Sequence, residues 1–369
     1  MYKLACSKNE LSKDKIVFAD MHTDGIPQSM QAVYKELKRR GYRPKVMCKD
    51  TAKMGPVGFL RFMNLFMNEY ASAGTVVIST YFLPVSSAKK RRETKVVQLW
   101  HSGGLLKKMG YDTGDDIPRN YRGKVAANYD LVTVSAPICE KVWESALHLE
   151  DGSAKAMGIS RTDIYFDENW NQRNKDIFFS LVPEAKGKKV VLYAPSFSGN
   201  AAMPKCFGLE MMTDKQLSKI LGDDYYVIFR PHPLMQKKYP EYFNGKLERF
   251  TTSRLLSLTD LLITDYSSIL FDYSIYRKPF VLFCPDFEEY KKNRGFYADP
   301  DKFPCFLTKN MDQLVDAVHK ECHNNSSDNG FTRKRKEELE EFYNKYMGAC
   351  DGHSTHRVVD YIVDHIESL

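Results

Sequence analysis

Leu261-Leu262-Ile263-Thr264-Asp265-Tyr266-Ser267-Ser268-Ile269-Leu270-Phe271-Asp272-Tyr273 starts as an apolar run, breaks into hydroxyls and an acid, and resumes at helical spacing. This is how a buried strand hands over to a helix. The strand is expected over Leu261–Thr264, the turn over Tyr266–Ser268, and the helix from Ile269 to Arg277 with Ser267 or Ser268 as its cap. The free N–H groups and positive dipole end of such a helix suit a phosphate. An ordinary serine N-cap is the alternative on this stretch alone.

The same alternation extends in both directions. Strands are expected at Lys15–Ala19, Arg43–Met47, Thr75–Thr80, Lys95–Leu99 and Leu131–Val134, with helices at Pro27–Arg40 and Ile138–Ala146. A second series has strands at Lys189–Ala194, Tyr225–Phe229, Leu261–Thr264 and Phe280–Phe283, with helices at Asp214–Leu221 and Ile269–Tyr276. Strands alternating with helices imply parallel α/β sheets. The polar stretch Asp167–Lys188 reads as a linker, Glu338–Tyr346 as a charged surface helix, and Thr355–Leu369 as a helix with one apolar stripe that packs across the domains. The expected division is 1–175, 176–350 and the terminal helix 351–369. A chain of 369 residues suits two domains of roughly 150 to 200 residues. Two doubly wound units would put ligand sites at strand carboxyl ends facing a shared cleft.

A hydrophobic share of 43% and a charged share of 27% describe a globular chain. The net charge of +7 favours an acidic substrate or an anionic membrane surface and is too modest to demand nucleic acid. Lys89–Arg92 and Arg333–Lys336 are the local basic runs, read as solvated surface or as headgroup contacts. Eight scattered cysteines form no close pair, so reduced thiols in a cytoplasmic protein are expected. The first ten residues lack the apolar core of a signal peptide, and no segment approaches the ~20 apolar residues of a membrane span, so any membrane association is expected to be peripheral.

Candidate chemistry follows the strands. After Lys95–Leu99 comes Trp100-His101-Ser102-Gly103-Gly104-Leu105-Leu106-Lys107, a histidine in a glycine-rich corner able to take a proton from an attacking hydroxyl, or else a structural histidine beneath Trp100. Tyr225–Phe229 ends in Arg230-Pro231-His232-Pro233, where prolines rigidify a turn presenting two groups that can hold phosphate oxygens. Pro195-Ser196-Phe197-Ser198-Gly199-Asn200 forms a small-residue loop after Lys189–Ala194, and Asp286, Glu288 and Glu289 follow Phe280–Phe283, where an acid can bond ribose hydroxyls. No Gly-rich Lys-Ser/Thr loop, Gly-x-Gly-x-x-Gly or Gly-x-Ser-x-Gly elbow is present, and neither a metal nor a cofactor is expected.

Taken in order, Gln98-Leu99-Trp100-His101, Gly158-Ile159-Ser160-Arg161-Thr162-Asp163, Val191–Phe197, Arg230-Pro231-His232-Pro233, Ile263–Ser268 and Arg277-Lys278-Pro279 resemble the CDP-glycerol glycerophosphotransferases of teichoic acid and capsule synthesis. The resemblance covers about residues 90–369. It implies a GT-B fold, acceptor bound by the first domain and a CDP-polyol (CDP-glycerol or CDP-ribitol) by the second. His101 would be the general base, with Ser102, Gly103, Gly104 and Lys107 on the acceptor side. His232 would stabilise phosphate charge. Arg230, Ser196, Thr264, Asp265, Ser267, Ser268, Asp286 and Glu289 would bind the donor. The implied acceptor is a polyprenyl-diphosphate-linked saccharide at the inner membrane face. Lys107 lies six residues after His101, where many chain-extending members have five, and this looks like the primase members; Ser198 and Ser160 stand where arginine and proline are common. A chain-extending polymerase, a GT-B glycosyltransferase using a sugar nucleotide, and a non-catalytic module binding anionic wall polymer are the competing readings.

Overall fold

The computed structural model describes residues 1–114, 116–117, 120–196, 214–232, 235, 245–247, 250–324 and 330–368. Ser198, Pro233 and the rest of the 197–200 loop lie outside the described residues. The chain forms two compact units: Met1–Gly104, Met109–Ile164 and Gly348–Leu369 make the first, and Leu105–Lys108 with Tyr165–Met347 make the second.

The first unit is built on six parallel strands, β1 (Ser12–Asp20), β2 (Lys45–Cys48), β3 (Ala73–Ile78), β4 (Lys95–Gln98), β5 (Leu131–Thr133) and β6 (Ala154–Lys155), in the order β2-β1-β3-β4-β5-β6. Its helices include α1 (Tyr2–Lys8), α2 (Gln28–Arg39), α3 (Pro56–Ser72), α4 (Leu83–Ser86) and α5 (Pro137–Leu147). Ile16, Phe18, Val77, Val97 and Leu131 of the sheet pack with Met30, Val33 and Leu37 of α2 into one buried core. Parallel strands covered on both faces read as near-continuous apolar runs, which is why these strands were legible.

The second unit carries five parallel strands, β7 (Lys189–Tyr193), β8 (Tyr225–Phe229), β9 (Leu261–Thr264), β10 (Phe280–Phe283) and β11 (Phe306–Thr308), in the order β11-β10-β9-β7-β8. Around them lie α6 (Glu168–Leu181), α7 (Asp214–Leu221), α8 (Thr252–Leu258), α9 (Ile269–Ser274), α10 (Phe287–Asn293), α11 (Met311–Asn324) and α12 (Gly330–Met347). Both sheets reverse their strand order near the middle, where ligands bind doubly wound folds.

Four expectations need correction. The stretch Asp167–Lys188 is mostly α6: Asp167 caps it by accepting the Trp170 amide at 2.9 Å, and its buried side is a short set with Asn174 and Phe178. A boundary at 175 would therefore cut a helix. Glu338–Tyr346 belongs to α12, which buries Leu339, Phe342, Tyr343, Tyr346 and Met347, with Phe342 stacked on Phe271 at 5.6 Å, so it is core on one face. The terminal helix α13 (Ser354–Ser368) lays Val358, Val359, Ile362 and Ile366 into the core of the first unit, because its stripe matches the apolar face of that sheet. Finally, the helix after Ser268 is only Ile269–Ser274, and Arg277 takes a left-handed φ of 51° beyond it.

Candidate functional site

The corner after β4 is unusual backbone held by its own side chains. Trp100 has φ 54°, a left-handed conformation that costs a non-glycine residue about 1–2 kcal/mol. Its amide donates to Gln98 Oε1 at 3.0 Å and its indole Nε1 to Ser102 Oγ at 3.1 Å, while the ring meets Tyr81 and Trp143 edge-on at 5.2 and 4.9 Å. His101 stacks on Trp100 at 5.0 Å and is exposed. Its Nδ1 lies 3.2 Å from the Ser79 carbonyl oxygen. A carbonyl can only accept, so Nδ1 carries the proton, and in the neutral ring the lone pair is then on Nε2. An exposed imidazole fixed in that tautomer is prepared to take a proton at Nε2.

Two further groups hold this corner within the first unit. Arg161 Nε donates to the His101 carbonyl at 3.0 Å, and Asp163, two residues on, accepts the Ser354 and Thr355 amides at 3.1 and 2.7 Å, capping α13. Gly158 begins the segment at φ +80°, and a Cβ there would meet Ser354 Oγ at 2.2 Å and Ala349 O at 2.3 Å. The Gly158–Asp163 motif is thus a brace that ties the terminal helix to the His101 corner. Gly103 and Gly104 are buried, and the Gly104 amide donates to Ser135 Oγ at 2.7 Å. Sequence reasoning missed Asp20 at the end of β1, which is 1% exposed and accepts the His22 amide and the Thr80 hydroxyl at 2.7 and 3.1 Å. An acid closing a buried strand was its only signal.

In the second unit, Asp265 after β9 accepts the Ser196 amide on both carboxylate oxygens at 2.9 Å, which joins the loop after β7 to the turn after β9. Enclosure of its carboxyl raises its pKa, and the Ser196 bonds and the Lys107 charge oppose that rise. Thr264 is buried and its hydroxyl donates to the Ala194 carbonyl at 2.7 Å, so it fixes the strands and offers no hydroxyl for a donor. Ser267 Oγ accepts the Ile269 amide at 3.4 Å, whereas Ser268 is the N-cap residue without a side-chain capping bond. Asp286 accepts the Tyr266 hydroxyl at 2.9 Å and so belongs to this corner. Glu289 is exposed on α10, and Glu288 turns to Lys309 at 2.9 Å.

Arg230 donates its amide to Tyr193 O at 2.8 Å and Nη2 to Leu247 O at 2.5 Å. His232 is half-buried, and burial first, then the Lys107 charge, pulls its pKa down to about 4. It is therefore neutral near pH 7 and meets an anion as a hydrogen-bond donor. Lys107, expected on the acceptor side, lies in the second unit, in a segment paired antiparallel with Phe296. Among the described residues no group of three or more His, Cys, Asp or Glu side chains is placed to hold a metal ion.

Two parallel α/β units with polar corners at strand carboxyl ends define a transferase fold of GT-B type. A sequence model of the CDP-glycerol:poly(glycerophosphate) glycerophosphotransferases matches residues 1–364, and the chain belongs to that family, an enzyme family of CDP-alcohol phosphotransferases in teichoic acid biosynthesis. It is 30% identical over 380 residues to the teichoic acid ribitol-phosphate primase of Bacillus spizizenii, a match taking in 100% of this chain and 95% of that protein. It is 29% identical over 368 residues to the teichoic acid poly(ribitol-phosphate) polymerase of the same organism, spanning 96% of this chain and 56% of the polymerase. A solved structure of the wall teichoic acid polymerase TagF, soaked with CDPG, superposes with a TM-score of 0.78 at 22% identity, over 100% of this chain and 92% of that one.

Proposed function

We propose that this protein is a priming polyol-phosphate transferase: it moves one polyol phosphate from a CDP-polyol to a hydroxyl of a polyprenyl-diphosphate-linked saccharide and releases CMP. The observation that carries the reading is the exposed His101 imidazole with Nδ1 committed to the Ser79 carbonyl. In the reaction, Nε2 accepts the acceptor's hydroxyl proton as its oxygen attacks the polyol-bearing phosphorus. The bond from that phosphorus to the bridging oxygen breaks, and CMP leaves with the electron pair. General-base assistance of this kind contributes about 10²- to 10⁴-fold. His232 as a neutral donor, Arg230, Ser267 and Ser268 would hold the donor's phosphates, with Asp265 and Ser196 fixing the loops that present them. Asp286 and Glu289 would face the ribose, and Ser102, Gly103 and Gly104 the acceptor.

Priming rather than chain extension is the reading favoured by the six-residue spacing from His101 to Lys107, which resembles the primase members. Ribitol is favoured as the polyol because the primase and the polymerase compared above are both named for ribitol phosphate, while the family's description favours the glycerol expected from the sequence. A peripheral seat on an anionic inner membrane face is supported by α1 and α3, which pack together and leave Met1, Leu4, Val57, Leu60 and Leu65 exposed beside Lys3 and Arg61. No helix among the described residues is long and apolar enough to cross a membrane. The test is CMP release from CDP-ribitol and CDP-glycerol with a synthetic lipid-linked disaccharide, the product weighed by mass spectrometry. One added polyol phosphate is expected; a ladder would make the protein a polymerase, and silence with both donors would overturn the reading.

A further inference from the structure

The geometry points to Lys107 as a ligand of the donor's terminal, polyol-bearing phosphate rather than of the acceptor. The inference rests on the CDP-polyol reading above and deepens it.

The residues around Lys107 fix its backbone to the donor unit. Leu106 O accepts the Tyr297 amide at 2.7 Å, the Lys108 amide donates to Gly295 O at 3.1 Å, and Arg294 Nε donates to Lys108 O at 3.0 Å. Lys107 pairs with Phe296 across this short antiparallel bridge. The Phe296 ring in turn lies 5.7 Å from Tyr266, and Tyr266 stacks on Tyr290 at 3.7 Å and donates to Asp286. The ladder therefore sets Lys107 beside the turn that carries Asp265, Tyr266 and Ser267. Electrostatics agree: the Lys107 ammonium lowers the pKa of His232 and stabilises the ionised carboxylate of Asp265. One charge is felt at the corners after both β8 and β9.

Charge decides what such a side chain does. His232 is neutral near pH 7, so the cations available to a diphosphate at these corners include Lys107 and Arg230. An ammonium is a point charge without the fork geometry of arginine, and it suits a phosphate whose oxygens change partners during transfer. The bridging oxygen that leaves this phosphate gains charge in the transition state, where a fixed cation acts most strongly.

The experiment compares CDP and CMP binding by calorimetry in the full chain, using Lys107→Gln and Lys107→Arg, together with the acceptor KM. Loss of one charge-assisted contact corresponds to roughly 10- to 100-fold in affinity. The expected result is that weakening for CDP with Lys107→Gln, under about 3-fold for CMP, and partial recovery with Lys107→Arg. CDP affinity within about 3-fold of wild type together with a raised acceptor KM would overturn the assignment, as would an equal loss for CDP and CMP accompanied by a lower melting temperature, the mark of a lysine that only neutralises Asp265. A second measurement needs no variant: bound CDP should protect Lys107 of the wild-type protein from amine acetylation, read by mass spectrometry, and absence of protection would overturn the inference. Failure of the wild type to bind CDP at all would overturn the proposed function first.

Discussion

The two histidine corners use one residue type in opposite environments. His101 in the first unit is exposed, stacked on a tryptophan, and held by a carbonyl that dictates its tautomer. His232 in the second unit is half-buried next to a lysine and loses its affinity for protons. The contrast teaches that a histidine's role is set by what faces its ring: a carbonyl at Nδ1 makes a base, while burial beside a cation makes a neutral donor. Under the proposed function it would also separate proton transfer from phosphate binding, so that each could be perturbed alone.

The largest effect tests that separation directly. His101→Ala should lower turnover by about 10²- to 10⁴-fold, the range for losing a general base, while CDP affinity stays within about 3-fold of wild type. Steady-state CMP release and calorimetry measure the two. Equal losses in both would break the division of labour.

Gly158→Ala comes next and asks whether the first corner depends on its brace. A Cβ would run into Ser354 Oγ and Ala349 O, and φ +80° adds strain. The expected destabilisation is roughly 2–4 kcal/mol, read from denaturant unfolding, with kcat falling more than CDP affinity. An unchanged unfolding midpoint would show that α13 yields without cost.

Asp265→Ala probes the second corner. It leaves the Ser196 amide without its carboxylate, a loss of about 1–3 kcal/mol, and should weaken CDP binding without altering the tautomer or pH response of His101. NMR of the histidine rings and CDP titration check both halves.

Much of this contrast was legible in the sequence for physical reasons. β8, β9 and β10 match their expected bounds because a doubly buried parallel strand must be an apolar run ended by turn residues. His101 and His232 stood out because each closes such a strand. What was hidden depends on partners distant in the chain. The pairing of Lys107 with Phe296 has no local signature, so the place of that lysine in the second unit could not be read from its spacing to His101. Helix α6 escaped because its buried face includes a polar residue, Asn174, and α12 was read as a helix but its burial escaped because aromatic core residues alternate with charges. The short α9 shows the limit of periodicity: its apolar spacing continues past Ser274, but Arg277 turns left-handed on the way to β10.

The smallest effect is a slope. His232 has its pKa lowered from 6.5 to about 4, so the folded protein resists protonating it while the unfolded chain does not. The stabilisation this provides is complete above about pH 6.5 and is lost as pH falls toward and through 4. His232→Gln cannot titrate, so its melting temperature should decline less than that of wild type between pH 7 and pH 4.5, and the two curves should converge on the acid side. CDP should reverse part of the difference, because a phosphate beside the ring favours the imidazolium and restores its pKa. Wild type and variant with parallel pH profiles would mean that His232 titrates like a solvent-exposed histidine, and the neutral-donor half of the comparison would fall while the His101 half stood.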